Sequence, residues 1–128
     1  MPMNPEIRTP AKAASDGLPA PCPMVSFVKL VSGKWAIPIL YRLIIIGGAV
    51  RFSELQRAVA PITQKELTRQ LRLFEQRGLV SRRIYAEVPP RVEYSITELG
   101  LSLRPTLDSL AGWMRENGMK LAAQDHHD

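Results

Sequence analysis

One segment, residues 63–77, constrains the fold of this chain more than any other. Thr63 and Glu66 have the spacing of a capping box, and Gly78 stands where a helix can end. Apolar residues at i, i+4 and i+7 give the predicted helix one apolar face, made of Leu67, Leu71 and Phe74. The opposite face carries hydrogen-bond donors and no acid, and we call it the donor face: Gln64, Lys65, Thr68, Arg69 and Arg72. A helix that is buried on one side and offers donors from the other is what the major groove of DNA requires.

The residues around this helix predict a helix-turn-helix that is followed by a β-hairpin. Ser53 is placed to cap a preceding helix that runs to about residue 59, and a turn of three or four residues containing Pro61 separates the two helices. After the second helix, residues 80–96 alternate between two sets of side chains, as strands do. The connection 87–91 within this stretch contains two prolines, so it is predicted as the turn of the hairpin.

Two further helices are predicted before this block. The first covers Met24–Val31, with Cys22-Pro23 at its start, where a proline removes no helical hydrogen bond. The second covers Lys34–Ile46, and a short strand over Val50–Phe52 follows it. Pro38 is tolerated if it lies in the first turn of the second helix, and it must kink the helix if the helix begins earlier.

A last helix, capped by Thr97, is predicted after the hairpin. Its apolar residues keep helical spacing, and Pro105 is expected to bend or divide it: Leu99, Leu103, Leu107, Leu110 and Met114. The chain is thereby divided into a flexible arm rich in Pro and Ala (1–21), one domain (22–118) and a polar tail that we expect to fray (119–128).

The charge of the chain favours a polyanionic partner such as nucleic acid. Net charge is +5 and the sequence pI is about 9.8. Residues 51–93 hold nine positive and five negative side chains, whereas residues 94–128 hold three positive and five negative. A solvated basic surface would give the same total, but the positive excess lies in the helix-turn-helix and hairpin, which favours DNA as the partner.

Several classes of function find no support in the sequence. A single cysteine, Cys22, cannot form an intramolecular disulfide, which fits a reducing cytosol. Neither a signal peptide nor an apolar run of the roughly 20 residues needed to span a bilayer is apparent. No set of Ser, His, Cys and acidic residues suggests a catalytic centre, and His126 and His127 have no partners at metal-ligand spacing. We therefore expect a cytoplasmic protein that is not an enzyme and that needs no cofactor or metal.

Five stretches, in this order and spacing, resemble one known family. They run from Cys22 to about Trp113: Gly33-Lys34-Trp35, Arg51–Leu55, Thr63–Lys65 with Leu67-Thr68, Leu73–Glu75 with Gly78–Val80, and Pro89–Ser95 with Thr97–Gly100. The family is that of the HxlR-type winged helix-turn-helix regulators, which are related to the MarR regulators. Ser32, Pro38 and Glu66 depart from its usual pattern. The fold class implied is mainly α with a small β-hairpin (α+β), a winged helix-turn-helix with N- and C-terminal dimerisation helices.

The function implied by the resemblance is that of a homodimeric, sequence-specific DNA-binding transcription regulator of bacteria or archaea. Its partners would be double-stranded operator DNA, a second copy of the chain and, in some relatives, a small-molecule effector, with no role for a membrane. Whether it is a repressor or an activator stays open. The alternative is a winged-helix module for protein–protein contact that binds DNA weakly or not at all, and a salt titration separates the two.

The donor face supplies the first predicted DNA contacts. Lys65, Arg69 and Arg72 lie at i, i+4 and i+7 and point the same way. Arg69 is the leading candidate, because arginine can donate two hydrogen bonds to guanine, while Gln64 could pair with adenine. Thr68 completes the set. The competing interpretation is a merely solvated helix face.

The hairpin, or wing, supplies the remaining contacts. Arg82, Arg83 and Arg91 are predicted to touch backbone phosphates or the minor groove beside the recognition helix. The two prolines of the turn would hold Arg91 out on a stiffened tip. The alternative is that Arg91 pairs with a neighbouring glutamate, Glu87 or Glu93, and never meets DNA.

Cys22 is a candidate redox sensor. A thiolate at a helix N-terminus is favoured by the helix dipole, and some proteins of the family that the chain resembles sense oxidants or electrophiles with a cysteine here. The competing interpretation is a residue at the helix start that packs at the dimer interface.

Overall fold

The computed structural model describes residues 22–127, so the predicted arm 1–21 lies outside the described residues. The chain divides after Gly33 into two compact units. The first contains helix α1 (Pro23–Leu30), with Cys22 as its N-cap and Pro23 at its first position. This confirms the predicted first helix. None of the eight residues of α1 is buried.

The second unit holds the remaining helices and strands. In chain order these are α2 (Ala36–Ile46), β1 (Val50–Arg51), α3 (Phe52–Ala58), α4 (Gln64–Gln76), β2 (Val80–Tyr85), β3 (Arg91–Ile96), α5 (Glu98–Leu101) and α6 (Arg104–His127). The fold class predicted from the sequence, mainly helical with a small hairpin, is confirmed. The helix-turn-helix is α3 and α4, and the wing is β2 and β3.

The sheet has three antiparallel strands in the order β1-β3-β2, one strand more than the predicted hairpin. The short strand expected near residue 50 pairs with β3, where Val50 lies opposite Tyr94. On the other side of β3, Tyr94 lies opposite Arg82 and Glu93 lies opposite Arg83. Because β1 precedes α3 directly, this pairing ties the start of the helix-turn-helix to the wing.

Helix α2 is the centre of the core of this unit. It begins at Ala36, two residues later than predicted, and Pro38 is its third residue. A proline in the first turn removes no helical hydrogen bond, so no kink is required. Its buried face packs with apolar residues of the other elements: Ile39, Leu40, Leu43, Ile44, Leu55, Leu67, Leu71, Phe74, Val80 and Leu107 are at most 2% exposed.

Helix α3 begins at Phe52, so the prediction that Ser53 caps it is wrong. The carboxylate of Glu54 accepts a hydrogen bond from the backbone N–H of Arg51 at 3.1 Å. That contact satisfies an N–H at the helix start, and the helix begins two residues earlier than a Ser53 cap would place it.

Thr97 joins the end of α4 to the start of α5. Its hydroxyl donates to the carbonyl oxygen of Gly78 at 2.6 Å and accepts from the N–H of Gly100 at 3.1 Å. Gly78 has φ +76°, the left-handed conformation expected after α4. At Gly100 a Cβ would overlap the carbonyl oxygen of Leu79 and lie 2.6 Å from Cδ1 of Ile96, so only glycine fits.

The predicted last helix is divided into α5 and α6, and Pro105 is the second residue of α6. Helix α6 continues to His127, so the prediction of a frayed tail is wrong for the backbone up to that residue. Tyr41 donates a 2.6 Å hydrogen bond to Asp108 and so ties α2 to the start of α6. Among the described residues, no helix is both long enough and apolar enough to cross a membrane.

Candidate nucleic-acid interface

Helix α4 presents the donor face to solvent because its other face is held in the core. Thr63 caps the helix, with its hydroxyl oxygen accepting from the N–H of Glu66 at 3.1 Å. Leu67, Leu71 and Phe74 are at most 1% exposed, as the apolar spacing predicts. The five donor side chains and Leu73 line one open depression on the surface: Gln64, Lys65, Thr68, Arg69 and Arg72. The structure therefore brings together every predicted contact on this helix.

The cations of the donor face differ in their partners. Arg69 is paired with Glu66, one turn earlier on the same helix. Among the side chains that the structure describes, no carboxylate lies at ion-pair distance from Lys65 or Arg72. These two side chains are exposed, so they carry the unbalanced positive charge of the face.

Glu66 does not complete the predicted capping box. Its carboxylate contacts Arg69, and this hydrogen bond is the largest cause that holds the pKa of Glu66 below its ordinary value. A hydrogen bond with the side chain of Gln70 lowers the same pKa further. The pairing also raises the pKa of Arg69. The capping-box spacing thus correctly predicted the hydrogen bond to Thr63, but it did not predict that the Glu66 carboxylate pairs with Arg69.

Arg82 connects the wing to the recognition helix. Its Nε lies 3.4 Å from Oε2 of Glu75, on α4. On the sheet, Arg82 lies opposite Tyr94, and burial raises the pKa of that tyrosine. Arg82 therefore lies on the side of the sheet that faces α4.

Arg83 and Arg91 lie on the opposite side of the sheet, around Tyr85. Their guanidinium carbons are 4.8 Å and 4.0 Å from the ring centroid of Tyr85. Both are thus placed for a cation–π contact. Arg83 is exposed, and no acidic side chain in the described part of the chain lies at ion-pair distance from it.

Arg91 is not at the tip of the wing. It is the first residue of β3 and pairs with Tyr85, so the expectation of an arginine held out on the turn is wrong. Its side chain is 27% exposed and lies 3.0 Å from Glu87 and 3.6 Å from Glu93. Its Nε is buried and has no hydrogen-bond acceptor. This geometry favours the alternative, in which Arg91 pairs with both glutamates, and its role on DNA stays a prediction.

Cys22 belongs to the first unit of the chain. It is exposed and occupies the N-cap of α1. The backbone N–H groups of Val25 and Met24, at the start of α1, lower the pKa of its thiol because they favour the thiolate. Such a thiol is more reactive at neutral pH than an ordinary cysteine.

Two other groups of residues are not assigned a binding role. Trp35 is half-buried, and the ammonium of Lys34 lies 5.1 Å from its ring centroid. Of the residues that the structure describes, no three from His, Cys, Asp and Glu are grouped to hold a metal ion. The side chains of His126 and His127 lie outside the described ones.

Sequence reasoning missed the two glutamates of α4 that organise the arginines. Glu66 and Arg69 are three residues apart on one helix, a spacing that permits an ion pair. That signal was available, but the capping role competed with it. Glu75 and Arg82 belong to different elements, and their approach depends on how the hairpin folds against α4.

Proteins similar to this chain include helix-turn-helix transcriptional regulators. A family model described as HxlR-like helix-turn-helix matches residues 30–122. The protein YkvN of Bacillus subtilis, named as an HTH-type transcriptional regulator, is 51% identical over 85 residues, which cover 66% of this chain and 70% of that protein.

The fold of this chain is also similar to the folds of solved structures. A MarR-family transcriptional regulator from Porphyromonas gingivalis W83 matches with a TM-score of 0.71 and 35% identity, over 78% of this chain and 96% of that one. The redox regulator HypR in its reduced form matches with a TM-score of 0.73 and 38% identity, over 80% of this chain and 99% of that one.

Proposed function

Because the chain belongs to the HxlR-like helix-turn-helix family of transcriptional regulators, we propose that it is a homodimer that binds double-stranded DNA at specific sequences. Helix α4 lies in the major groove, and the wing lies on the adjacent backbone or minor groove. The observation that carries the proposal is the donor face, where exposed Lys65 and Arg72 have no acidic partner among the described residues. An unbalanced positive face on a helix buried from behind suits a groove flanked by phosphates.

The dimer is supported by the apolar face of α6. Leu107 on this face is 2% exposed, but Leu110 and Met114, which follow at helical spacing, are 47% and 52% exposed. The face therefore continues beyond the core of its own unit. Trp113 and Leu121 add to it, with 54% and 43% exposure. A second copy would cover these side chains, since exposed apolar surface of this extent marks contact sites.

Helix α1 offers a second apolar surface. Met24, Val25 and Val28 are between 50% and 68% exposed. In the proposed dimer they also contact the partner subunit. Two recognition helices related by a two-fold axis would then contact half-sites roughly 34–36 Å apart.

The wing arginines have different roles in this proposal. Arg83 contacts a phosphate, because it is exposed and has no acidic partner among the described side chains. Arg82 holds the wing against α4 through Glu75, and that ion pair can exchange for a phosphate on binding. Arg91 stiffens the wing through Glu87 and Glu93.

A binding experiment tests the function directly. The purified protein is used to select duplexes from a random library, and affinity for the selected and a scrambled duplex is measured against salt. We expect steep loss of affinity with salt for both duplexes, and a preference for the selected one at every salt concentration. A protein that selects no sequence and shows no salt-dependent binding would be the protein–protein module of the alternative.

We also propose that an oxidant acts on the regulator through Cys22. The exposed thiol has a lowered pKa, and the redox regulator HypR is among the structures that this chain resembles. A two-electron oxidant such as a peroxide would join the Cys22 thiols of two subunits, releasing two protons and two electrons to the oxidant. Cys22→Ser should keep its affinity for the selected duplex after peroxide treatment, whereas the wild type should change. Equal behaviour of the two proteins would remove Cys22 as the sensor.

A further inference from the structure

The carboxylate of Glu66 binds one edge of the Arg69 guanidinium. Its Oε1 lies 3.4 Å from Nε of Arg69, and its Oε2 contacts Nη2 of the same side chain. The carboxylate is thus bidentate on the Nε–Nη2 edge, the strongest geometry for such a pair. The two side chains are 30% and 53% exposed, so the pair stands at the border between the core and the donor face.

The carboxylate itself is held from behind. Gln70, one turn later on α4, is 1% exposed, and its side chain hydrogen-bonds to Glu66. Thr63 accepts from the backbone N–H of Glu66, which fixes the first turn of the helix. A buried amide has few orientations, because its polar atoms must keep their partners. Glu66 therefore has a defined position before any ligand arrives.

This contact with Glu66 leaves the other edge of the Arg69 guanidinium available. A guanidinium has five N–H donors in a planar fork, and the Glu66 contacts use those on the Nε–Nη2 side. The end-on edge, formed by Nη1 and Nη2, keeps two donors that point away from the side-chain stem. Two parallel donors on one edge match the O6 and N7 acceptors of guanine.

We propose that Glu66 is a specificity-determining positioning residue, which holds Arg69 so that its free edge recognises one guanine in the major groove. The inference rests on the proposed function and deepens it. It also assigns different tasks to the cations of the donor face. The Arg69–Glu66 pair carries little net charge and Arg69 serves base recognition, whereas Lys65 and Arg72 attract the phosphates.

The test compares base preferences in duplex libraries selected by the wild type, Glu66→Gln and Arg69→Ala. Glutamine suits the same capping position and keeps the size of the side chain, so α4 should stay folded. We expect Arg69→Ala and Glu66→Gln to relax the preference for guanine at the same position, each by at least about fivefold. Glu66→Gln should bind random duplex more tightly than the wild type, because the positive charge of Arg69 is then no longer offset by an acid.

Glu75→Gln is the matched control, since it removes an acid from the same helix that pairs with Arg82 instead. It should leave the guanine preference at the Arg69 position unchanged. In an Arg69→Ala background, Glu66→Gln should change the preference at no position, because it acts through Arg69.

Four results would overturn the inference. A Glu66→Gln protein with wild-type preferences would do so while leaving the proposed function intact, provided that Arg69→Ala relaxes them. An effect that persists in the Arg69→Ala background would make Glu66 a base contact of its own. Equal loss of affinity for selected and random duplexes would make it a structural residue. A wild type that selects no sequence would remove the proposed function together with the inference.

Discussion

Trp113 gives the most direct quantitative test of the dimer. Its side chain is 54% exposed on α6, next to the exposed Leu110 and Met114. A tryptophan can bury roughly 250 Å² in total, so about 130 Å² is left for a partner to cover. At about 25 cal/mol per Å² this area corresponds to roughly 3 kcal/mol per subunit, or roughly 6 kcal/mol for a symmetric dimer.

Trp113→Ser should therefore weaken dimerisation strongly. Because only part of each ring is covered in a real interface, we take half of the upper value, about 3 kcal/mol. This free energy corresponds to roughly a hundredfold increase in the dimer Kd. Sedimentation equilibrium over a series of protein concentrations measures that Kd. Circular dichroism checks that the variant is folded.

Val88→Ser is the matched control, because Val88 is fully exposed at the turn of the wing and is also an apolar side chain. It should leave the dimer Kd unchanged. A folded Trp113→Ser protein whose Kd differs from the wild type by less than about threefold would refute the assignment of this face of α6 to the interface.

Three further predictions test the wing, the core and the link between α2 and α6. Arg83→Ala should lower the dependence of log K on log salt by about one phosphate contact, and an unchanged slope in the salt titration would remove Arg83 from the interface. Gly100→Ala should lower the free energy of unfolding in urea by about 1–3 kcal/mol, because the site is overpacked. Gly112→Ala, with only a 3.9 Å contact at its Cβ position, should raise it by about 0.5–1 kcal/mol. Equal effects would contradict the packing argument. The hydrogen bond from Tyr41 is the largest cause that holds the pKa of Asp108 below its ordinary value of 3.8. This pair therefore stabilises the fold above pH 3.8, and the stabilisation is lost as the pH falls through the lowered pKa of Asp108. Tyr41→Phe should thus have a lower Tm than the wild type near neutral pH and a matching Tm in strong acid; a constant difference would contradict the linkage.

The core of the helix-turn-helix could be predicted closely because its signals are local. Helix α4 begins after Thr63 and ends before Gly78, as the cap and the left-handed glycine indicate. Its apolar face is buried and its donor face is exposed, since spacing of 3.6 residues per turn determines which side chains share a side. The division of the last helix at Pro105 has the same local origin.

The partners of the arginines could not be predicted with the same success. Arg82 meets Glu75 only because the wing folds against α4, and the strand register places Arg91 beside Tyr85 rather than on the turn. Even for Glu66, spacing alone allowed both a capping bond and an ion pair with Arg69. In the folded chain the carboxylate contacts Arg69, and this contact is the largest cause of its lowered pKa.

The sequence by itself thus determined which helices form, which of their faces are apolar and which helix carries the donors. These properties depend on backbone hydrogen bonds and on side-chain periodicity within a few residues. Only the tertiary structure decided that β1 joins the sheet, that Arg91 is held by two glutamates and that Arg82 meets Glu75 on α4. The physical reason is that such contacts depend on the distances and orientations of groups brought together by packing, and several partners of opposite charge are always within reach along the chain.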